Sequence, residues 1–345
     1  MEEKIDLRSL HPSEYPALMA ALGQPAYRAK QIFHWLSRGV ASFDEMSDLP
    51  LALRQTLAER CLLGAPEILR RQEAKDGTIK YLFGLRDGNS IESVLMRYDY
   101  GDSICLSTQA GCRMGCAFCA SYDPARSRNL TAGEILEQVL FAQRDSGRKV
   151  SHIVLMGTGE PLDNYDNVMT FLRLVTHPDG LGLGMRHISL STCGIVPRIR
   201  ELAELRLQLT LSVSLHAPSD ELRDRIMPVN KKYPLGVLMP ACRDYFEKTG
   251  RRISFEYAMI AGFNDTPACA DRLAALLRGM PAHVNLIPLN KVERSPLEPS
   301  SRDTIRRFQG RLESKNINAT VRRSLGGEIS AACGQLRRQQ NEVDL

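Results

Sequence analysis

Three cysteines stand in a C-x3-C-x2-C array at Cys112, Cys116 and Cys119, inside a stretch that runs from Cys105 to Arg128 and reads CLSTQAGCRMGCAFCASYDPARSR. Soft thiolates suit zinc or an iron-sulfur cluster. Structural zinc wants four protein ligands, and no further Cys or His follows within a dozen residues. A cubane held by three thiolates keeps one iron open, and an open iron can bind a substrate. The spacing therefore favours a cluster, with zinc or three unrelated buried thiols as the alternatives.

Other residues that could carry chemistry stand where apolar runs end. Gly157-Thr158-Gly159-Glu160-Pro161 follows His152–Met156. Its glycines let a backbone approach a ligand closely, and Glu160 can accept hydrogen bonds from an ammonium group. Ser191-Thr192, Ser214-Leu215-His216 and Asn290 end further apolar runs. Polar residues at such an edge fit the ribose and adenine of a nucleoside, although any strand must end in something polar. Glu92 is a carboxylate in an otherwise apolar strand, on a different face from Ile91 and Ser93 by the two-residue period. Cys333 lies in GGEISAACGQL, among small residues and glycines that allow a mobile loop. A reactive cysteine needs thiolate character and exposure, which a sequence does not display. Cys105 precedes Cys112 by seven residues, and only the fold can bring it to another thiol. Cys61, Cys193, Cys242 and Cys269 read as packing residues.

The elements that must position these groups change character along the chain. Residues 1–66 read as a helical module, with Pro12–Leu22 stopped at Gly23, Ala26–Ser37, a capping box at Ser42-Phe-Asp-Glu45 and Leu51–Cys61. Arg28, Lys30 and Arg38 there can neutralise nucleic-acid phosphates or form a solvated face. Strand patterns occupy Ile79–Phe83 and Ser90–Met96 around a turn at Asp87-Gly88-Asn89. From Ile104 onward, strand and helix alternate about six times, which predicts a parallel sheet with helices outside. Curled into a partial barrel, such a sheet presents its functional residues at the C-terminal ends of its strands. The predicted loops are 122–128, 177–185 and 291–299, and the polar tail from Leu336 is expected to fray.

Composition sets outer bounds. A chain of 345 residues can bury a large core with a small second domain. The net charge of +5, from 45 basic and 40 acidic residues, permits a polyanionic partner without demanding one. The start MEEKIDLRSLHPSEY is acidic and broken by proline, unlike a secretory signal, and no apolar run reaches the roughly 18 residues of a membrane span. The expectation is a cytoplasmic protein with no membrane partner. Nine cysteines, odd in number and partly clustered, fit metal or redox chemistry in a reducing compartment better than a disulfide framework.

Together the segments CLSTQAGCRMGCAFC, RNLTAGEI, MGTGEPLDN, ISLSTCGIVP, SVSLHAPSD, VNLIPLN and AACGQL, in this order, resemble the RlmN/Cfr family of radical S-adenosylmethionine (SAM) RNA methyltransferases. The start YRAKQIFHWLSRGVASFDEMSDLP is similar to that family's N-terminal module. The resemblance implies an α/β fold, a partial (βα)6 radical SAM barrel over 98–330. Before it come an RNA-contacting helical domain over 1–66 and a linking β segment over 67–97 that carries Glu92. Residues 331–345 form a C-terminal loop and tail with Cys333. Cys112, Cys116 and Cys119 then hold a 4Fe-4S cluster, and Gly159, Glu160, Ser191, Ser214, Leu215, His216 and Asn290 line a SAM pocket. Cys333 carries the methyl group, Glu92 accepts a proton, and Cys105 resolves a transient disulfide. One SAM methylates Cys333. A second is cleaved reductively, and its 5'-deoxyadenosyl radical takes hydrogen from the S-methyl group before the carbon radical adds to adenine.

The implied partners are 23S rRNA at an adenosine of the peptidyl-transferase centre, the adenosine beside the tRNA anticodon as a second candidate, and an electron donor such as flavodoxin. A monomer is the default. Methylation at C2 is expected as the family's housekeeping activity, and C8 methylation of the Cfr type is the alternative. A catalytically silent zinc protein that binds RNA is another. In one place the sequence departs from the family: after Cys119 the usual Thr-Gly pair and further Gly are replaced by Ala120-Ser-Tyr-Asp-Pro-Ala-Arg-Ser-Arg128.

Overall fold

The computed structural model describes residues 4–64, 66–292, 295–323, 325–331 and 333–336, so the tail expected to fray beyond Leu336 lies outside the described residues. Among the described residues ten strands form one sheet: β1 (Glu67–Glu73), β2 (Ile79–Gly84), β3 (Ser90–Tyr98), β4 (Gly101–Cys105), β5 (Val150–Leu155), β6 (Ile188–Thr192), β7 (Thr210–Ser214), β8 (Ile253–Met259), β9 (Ala282–Pro288) and β10 (Asn318–Val321). They lie side by side in sequence order. Strands β4 to β10 are parallel, and β1 to β4 run antiparallel as hairpins. The hairpin strands of 67–97 thus continue the barrel sheet at the edge of β4.

Six helices cross between the parallel strands: α4 (Ala132–Ser146), α5 (Tyr165–Thr176), α6 (Val196–Glu204), α8 (Leu235–Thr249), α9 (Pro267–Leu277) and α10 (Arg302–Glu313), with α7 (Asp220–Ile226) before α8. Several begin at side-chain caps: Thr131 accepts from Glu134 N in a full capping box, and Thr266 and Ser301 cap α9 and α10. Alternation along the strands sends Ile153, Leu155, Ile188, Leu190, Leu211, Val213, Phe255, Tyr257, Val284 and Leu286 into the core against these helices. The opposite face carries Ser189, Ser191, Ser212, Ser214, Glu256 and Asn285. The inner face of the half-barrel is thus polar, with Asn285 Nδ2 donating to the buried Glu256 at 2.8 Å.

The N-terminal module comprises α1 (Tyr15–Ala21), α2 (Arg28–Ser37) and α3 (Leu51–Arg60). It shares the main hydrophobic core, through Leu7, Met19, Ile32 and Leu57. The buried guanidinium of Arg8 pairs with Glu137 of α4 and donates to the carbonyls of Leu63 and Val40. Gly133 N donates to Ser9 Oγ at 2.8 Å, a contact that needs glycine, because a Cβ there would meet Asp6 Oδ2 at 2.8 Å. Among the described residues no helix is long and apolar enough to cross a membrane.

Candidate functional site

The three cysteines lie on the loop that leaves the C-terminal end of β4 and returns to α4. Its base is closed by the pairing of Gln109-Ala110 with Arg128-Asn129. Asp123 N donates to Cys112 O at 3.0 Å and Cys119 N to Cys116 O at 3.2 Å. Gly111 has φ +82°, and a Cβ there would meet Asp123 O at 2.9 Å. Desolvation, with Cys119, Glu160 and Asp163 nearby, pushes the Cys112 thiol up to about 12. Cys116 rises well above the thiol range from burial, then from Cys119 and Cys112. Thiols that disfavour one another's ionisation are gathered in one place, and a bound cation reverses that cost by replacing their protons. Among the described residues no three His, Cys, Asp or Glu side chains converge as ligands of a single metal ion. One thiolate on each of three irons asks for no such convergence, so this donor set fits a cluster.

The glycine-free segment after Cys119 is held by charge and by the chain's C-terminal end. Arg128 binds both oxygens of Glu134, at 2.7 and 2.8 Å, and pairs with Asp87. Arg113 donates to Ser127 O at 3.0 Å. Ala120 N donates to Gly334 O at 2.8 Å and Ser121 Oγ to Leu336 O at 2.6 Å. This loop therefore forms one wall of the seat for the Cys333 segment.

The other expected site residues line the C-terminal rim of the half-barrel. After β5, Gly159 adopts φ +109°, and a Cβ would lie 2.6 Å from Gln109 Cβ; the tight approach lets Glu160 N donate to Gln109 Oε1 at 2.8 Å. Glu160 is buried. Its carboxylate accepts from Cys193 N at 2.7 Å and Leu162 N at 3.0 Å. Desolvation raises its pKa and those N–H groups oppose the rise, so a ligand ammonium would be the missing countercharge. Ser191 is the next-to-last residue of β6 and Ser214 ends β7, both partly exposed. Leu215 is fully buried. His216 holds φ +56°, its Nδ1 accepts from Ala258 N at 2.9 Å, and its ring meets Phe118 of the cluster loop edge-on at 4.6 Å. Burial, with Arg223 nearby, lowers its pKa to about 3. It is a neutral imidazole.

Cys105 and Cys333, 228 positions apart in sequence, line one small cavity with Met156, Asn290 and Arg322. Both are free thiols. Burial, then the proximity of Cys333, pushes Cys105 up to about 12. Asn290 Nδ2 donates to Cys333 O at 3.0 Å, which ties the strand rim to the thiol loop. Glu92 is fully buried on β3. Val94 pairs with Cys105 across β3 and β4, so Glu92 stands one pleat nearer the C-terminal rim of β4, where Ser107 Oγ donates to Glu92 O at 2.6 Å.

Sequence reasoning missed the residues that brace this rim. Arg223 is completely buried and donates to Leu215 O, Asn230 Oδ1, Cys193 O and Ser214 O at 3.1, 2.8, 2.6 and 3.1 Å. Asn264 Nδ2 donates to His216 O and Ala258 O, both at 2.7 Å. Gln109 Nε2 donates to Asn129 Oδ1 and Asp163 Oδ2 at 2.8 and 2.9 Å. The available signal was position alone, since Arg223 and Asn264 each follow a rim strand closely.

Residues 106–271 match the family model described as the radical SAM superfamily. Residues 5–63 match the ribosomal RNA large subunit methyltransferase N-terminal domain. The chain is 52% identical over 338 residues to the probable dual-specificity RNA methyltransferase RlmN of Desulforamulus reducens, covering 97% of each. The protein of the same name from Clostridium perfringens (strain 13) is 54% identical over 318 residues, 92% of each. Among solved structures, a radical SAM methyltransferase from Sphaerobacter thermophilus superposes with a TM-score of 0.93 at 46% identity, over 96% of this chain and 99% of that one.

Proposed function

We propose a specific reaction from one premise: the chain belongs to the RlmN family of radical SAM RNA methyltransferases. It is thus an RNA methyltransferase that uses SAM and a 4Fe-4S cluster. The reaction we infer adds a methyl group to C2 of an adenosine in the peptidyl-transferase centre of 23S rRNA. The adenosine beside the tRNA anticodon is the second substrate, in keeping with the dual specificity in the relatives' names.

The observation that carries this reading is the shared cavity of Cys105 and Cys333 beneath the cluster loop and the nucleoside rim. Carbon 2 of adenine is too weak a nucleophile to take a methyl cation from SAM directly. Cysteines 112, 116 and 119 would hold the cluster, which when bound supplies one-electron chemistry at an otherwise unreactive C–H bond. Gly159, Glu160, Ser191, Ser214, Leu215, His216 and Asn290 would seat SAM, with Glu160 facing its ammonium. Cys333 Sγ carries the methyl carbon to the adenine ring, oriented through Asn290. Glu92 takes the ring proton, and the one electron that the ring adduct must also lose would return to the bound cluster. Cys105 Sγ then attacks Cys333 Sγ, forming the S–S bond as the carbon–sulfur bond breaks; the carbon leaves with the electron pair and takes a proton. A two-electron reductant returns the disulfide to two thiols, and an external donor such as flavodoxin would supply the electron that the cluster needs.

Arg28, Lys30 and Arg38 on and beside α2 are the proposed phosphate contacts; Lys30 and Arg38 are exposed, and Arg38 lies over the Trp35 ring. A cytoplasmic monomer fits this work. The test is anaerobic reconstitution with iron, sulfide, SAM and RNA fragments, followed by mass spectrometry of the digested nucleosides. The expected product is 2-methyladenosine, and Cys333→Ala should abolish it without loss of iron. An 8-methyladenosine product overturns the ring position, and methyl transfer by Cys333→Ala overturns the mechanism.

A further inference from the structure

We propose that Lys80 is a positioning residue for proton transfer: it keeps Glu92 charged and ties that carboxylate to the loop bearing Cys333. The proposal deepens the reading above, since it rests on Glu92 as proton acceptor. In the β2–β3 pairing, Lys80 stands opposite Val94 and Leu82 opposite Glu92, so Lys80 and Glu92 are diagonal neighbours on one face. Lys80 Nζ lies 2.6 Å from Glu92 Oε1, with side-chain exposures of 4% and 0%. The same Nζ donates to Ser330 O at 3.1 Å, three residues before Cys333. One ammonium thus reaches across 250 positions of sequence to join a strand carboxylate to the methyl-carrying loop.

A structural ion pair is the competing explanation, and it accounts for less. A buried pair gains little over an apolar pair of similar shape, because desolvating both charges offsets their attraction. What the pair uniquely provides is protonation state. A carboxylate buried without a cation binds a proton and cannot act as a base, whereas an adjacent ammonium keeps it ionised. The ammonium carries three donors, so it can hold Glu92 and the Ser330 carbonyl together. Other titratable groups face the region: Tyr98, Cys105, Arg322, Arg323 and Cys333 line the cavity, and Asp76 and Glu328 anchor the loop's flanks through Gly326 N and Lys75 N. Arg322 faces the two thiols, whose charges act on it, and its Nη1 lies 3.9 Å from Glu256 Oε2 and 3.5 Å from Met156 Sδ.

The test follows the covalent protein–RNA adduct in the reconstituted full-length enzyme by gel mobility and mass. Lys80→Gln removes the charge and keeps an amide donor on a side chain one bond shorter. The expected result is slower adduct resolution at neutral pH once the Glu92 pKa passes 7, about tenfold for each further unit, recovering at higher pH, with iron content unchanged. The double variant Lys80→Gln/Glu92→Gln leaves no unpaired buried charge and should resolve its adduct at the rate of Glu92→Gln alone. A Lys80→Gln profile matching wild type beside a defective Glu92→Gln overturns this proposal and leaves the reaction standing, as does a double variant slower than Glu92→Gln. Glu92→Gln resolving at the wild-type rate overturns the role of Glu92 and this proposal with it. Without substrates, Lys80→Met should raise deuterium uptake in 326–336; unchanged uptake overturns the tether.

Discussion

Arg223→Met isolates the brace under the SAM rim. The guanidinium has no exposure and makes four hydrogen bonds, three of them to the carbonyls of Cys193, Ser214 and Leu215. Methionine fills much of the volume and satisfies none of those acceptors. A hydrogen bond from a charged donor contributes about 1.5–3 kcal/mol, and a stranded buried acceptor costs about 1–3 kcal/mol. These terms do not add, and removing a buried charge returns its desolvation cost, so the net loss should be about 3–5 kcal/mol. Against a total stability of about 5–15 kcal/mol, that is a large fraction. Urea unfolding followed by far-UV circular dichroism should show a midpoint lower by roughly 1–2 M, for a slope of about 3 kcal/mol/M. Calorimetry of SAM binding to the reconstituted protein should show weakened affinity, because the carbonyls released are those that fix the ends of β6 and β7. Arg223→Lys keeps the charge but not the planar fork and should fall between. Stability within 1 kcal/mol of wild type, with SAM affinity unchanged, refutes the bracing role.

Gly159→Ala forces a side chain into a left-handed position 2.6 Å from Gln109 Cβ; it should cost about 1–3 kcal/mol and weaken SAM binding by displacing Glu160, both measurable on one purified sample. Cys116→Ser should yield colourless protein without iron but with wild-type far-UV circular dichroism. Arg128→Ala removes a pair that is partly exposed, so unfolding should move by no more than about 1 kcal/mol, while a chelator should strip iron faster from the loosened loop. The folded pKa of His216 lies near 3, below the unfolded value of about 6.5. Its stability contribution is therefore complete above pH 6.5 and falls as the pH drops toward 3, by about 2 kcal/mol at pH 5. Stability measured from pH 7 to 5 should fall less steeply for His216→Gln, and parallel curves would refute the assignment.

How much of this was legible in the sequence depended on how local each signal was. The cysteine triad is local: three ligands within eight residues can only be gathered by one loop. The βα alternation is legible for a related reason, since each parallel strand is a short apolar run between helices, three of which open on a side-chain cap. Sheet order needed no foresight either, because neighbours in sequence are neighbours in space here. Lys80 was not legible. In Ile79-Lys80-Tyr81 a lysine at alternate position reads as solvent-facing, yet the C-terminal segment lies over that face and buries it to 4%. Arg223 sits among charged neighbours in DELRDRI and looks like a helix's wet side. Only tertiary contact shows that it alone turns inward. Glu92 stood out as a carboxylate among apolar residues, but the sequence held no hint of its partner.

The two thiols differ in how they are held, and the difference matches what the proposed reaction asks of each. Cys105 is the last residue of β4, paired on both sides and 7% exposed. Among the described residues, Cys333 sits on a segment joined to the rest of the chain by hydrogen bonds with Asn290, Ala120, Ser121, Lys80, Lys75, Asp76 and Lys291, and by apolar contacts of Leu325, Ala331 and Leu336 with Val94, Met96 and Cys105. Each neutral bond contributes about 0.5–1.5 kcal/mol net, so local opening of this segment costs far less than unfolding the sheet. A sulfur that must meet a methyl donor, an adenine ring and a second thiol in succession has to move between them, whereas the thiol that only attacks at the end is best fixed. The mobile partner therefore belongs on the terminal loop and the stationary one on a central strand, which is the arrangement the chain adopts.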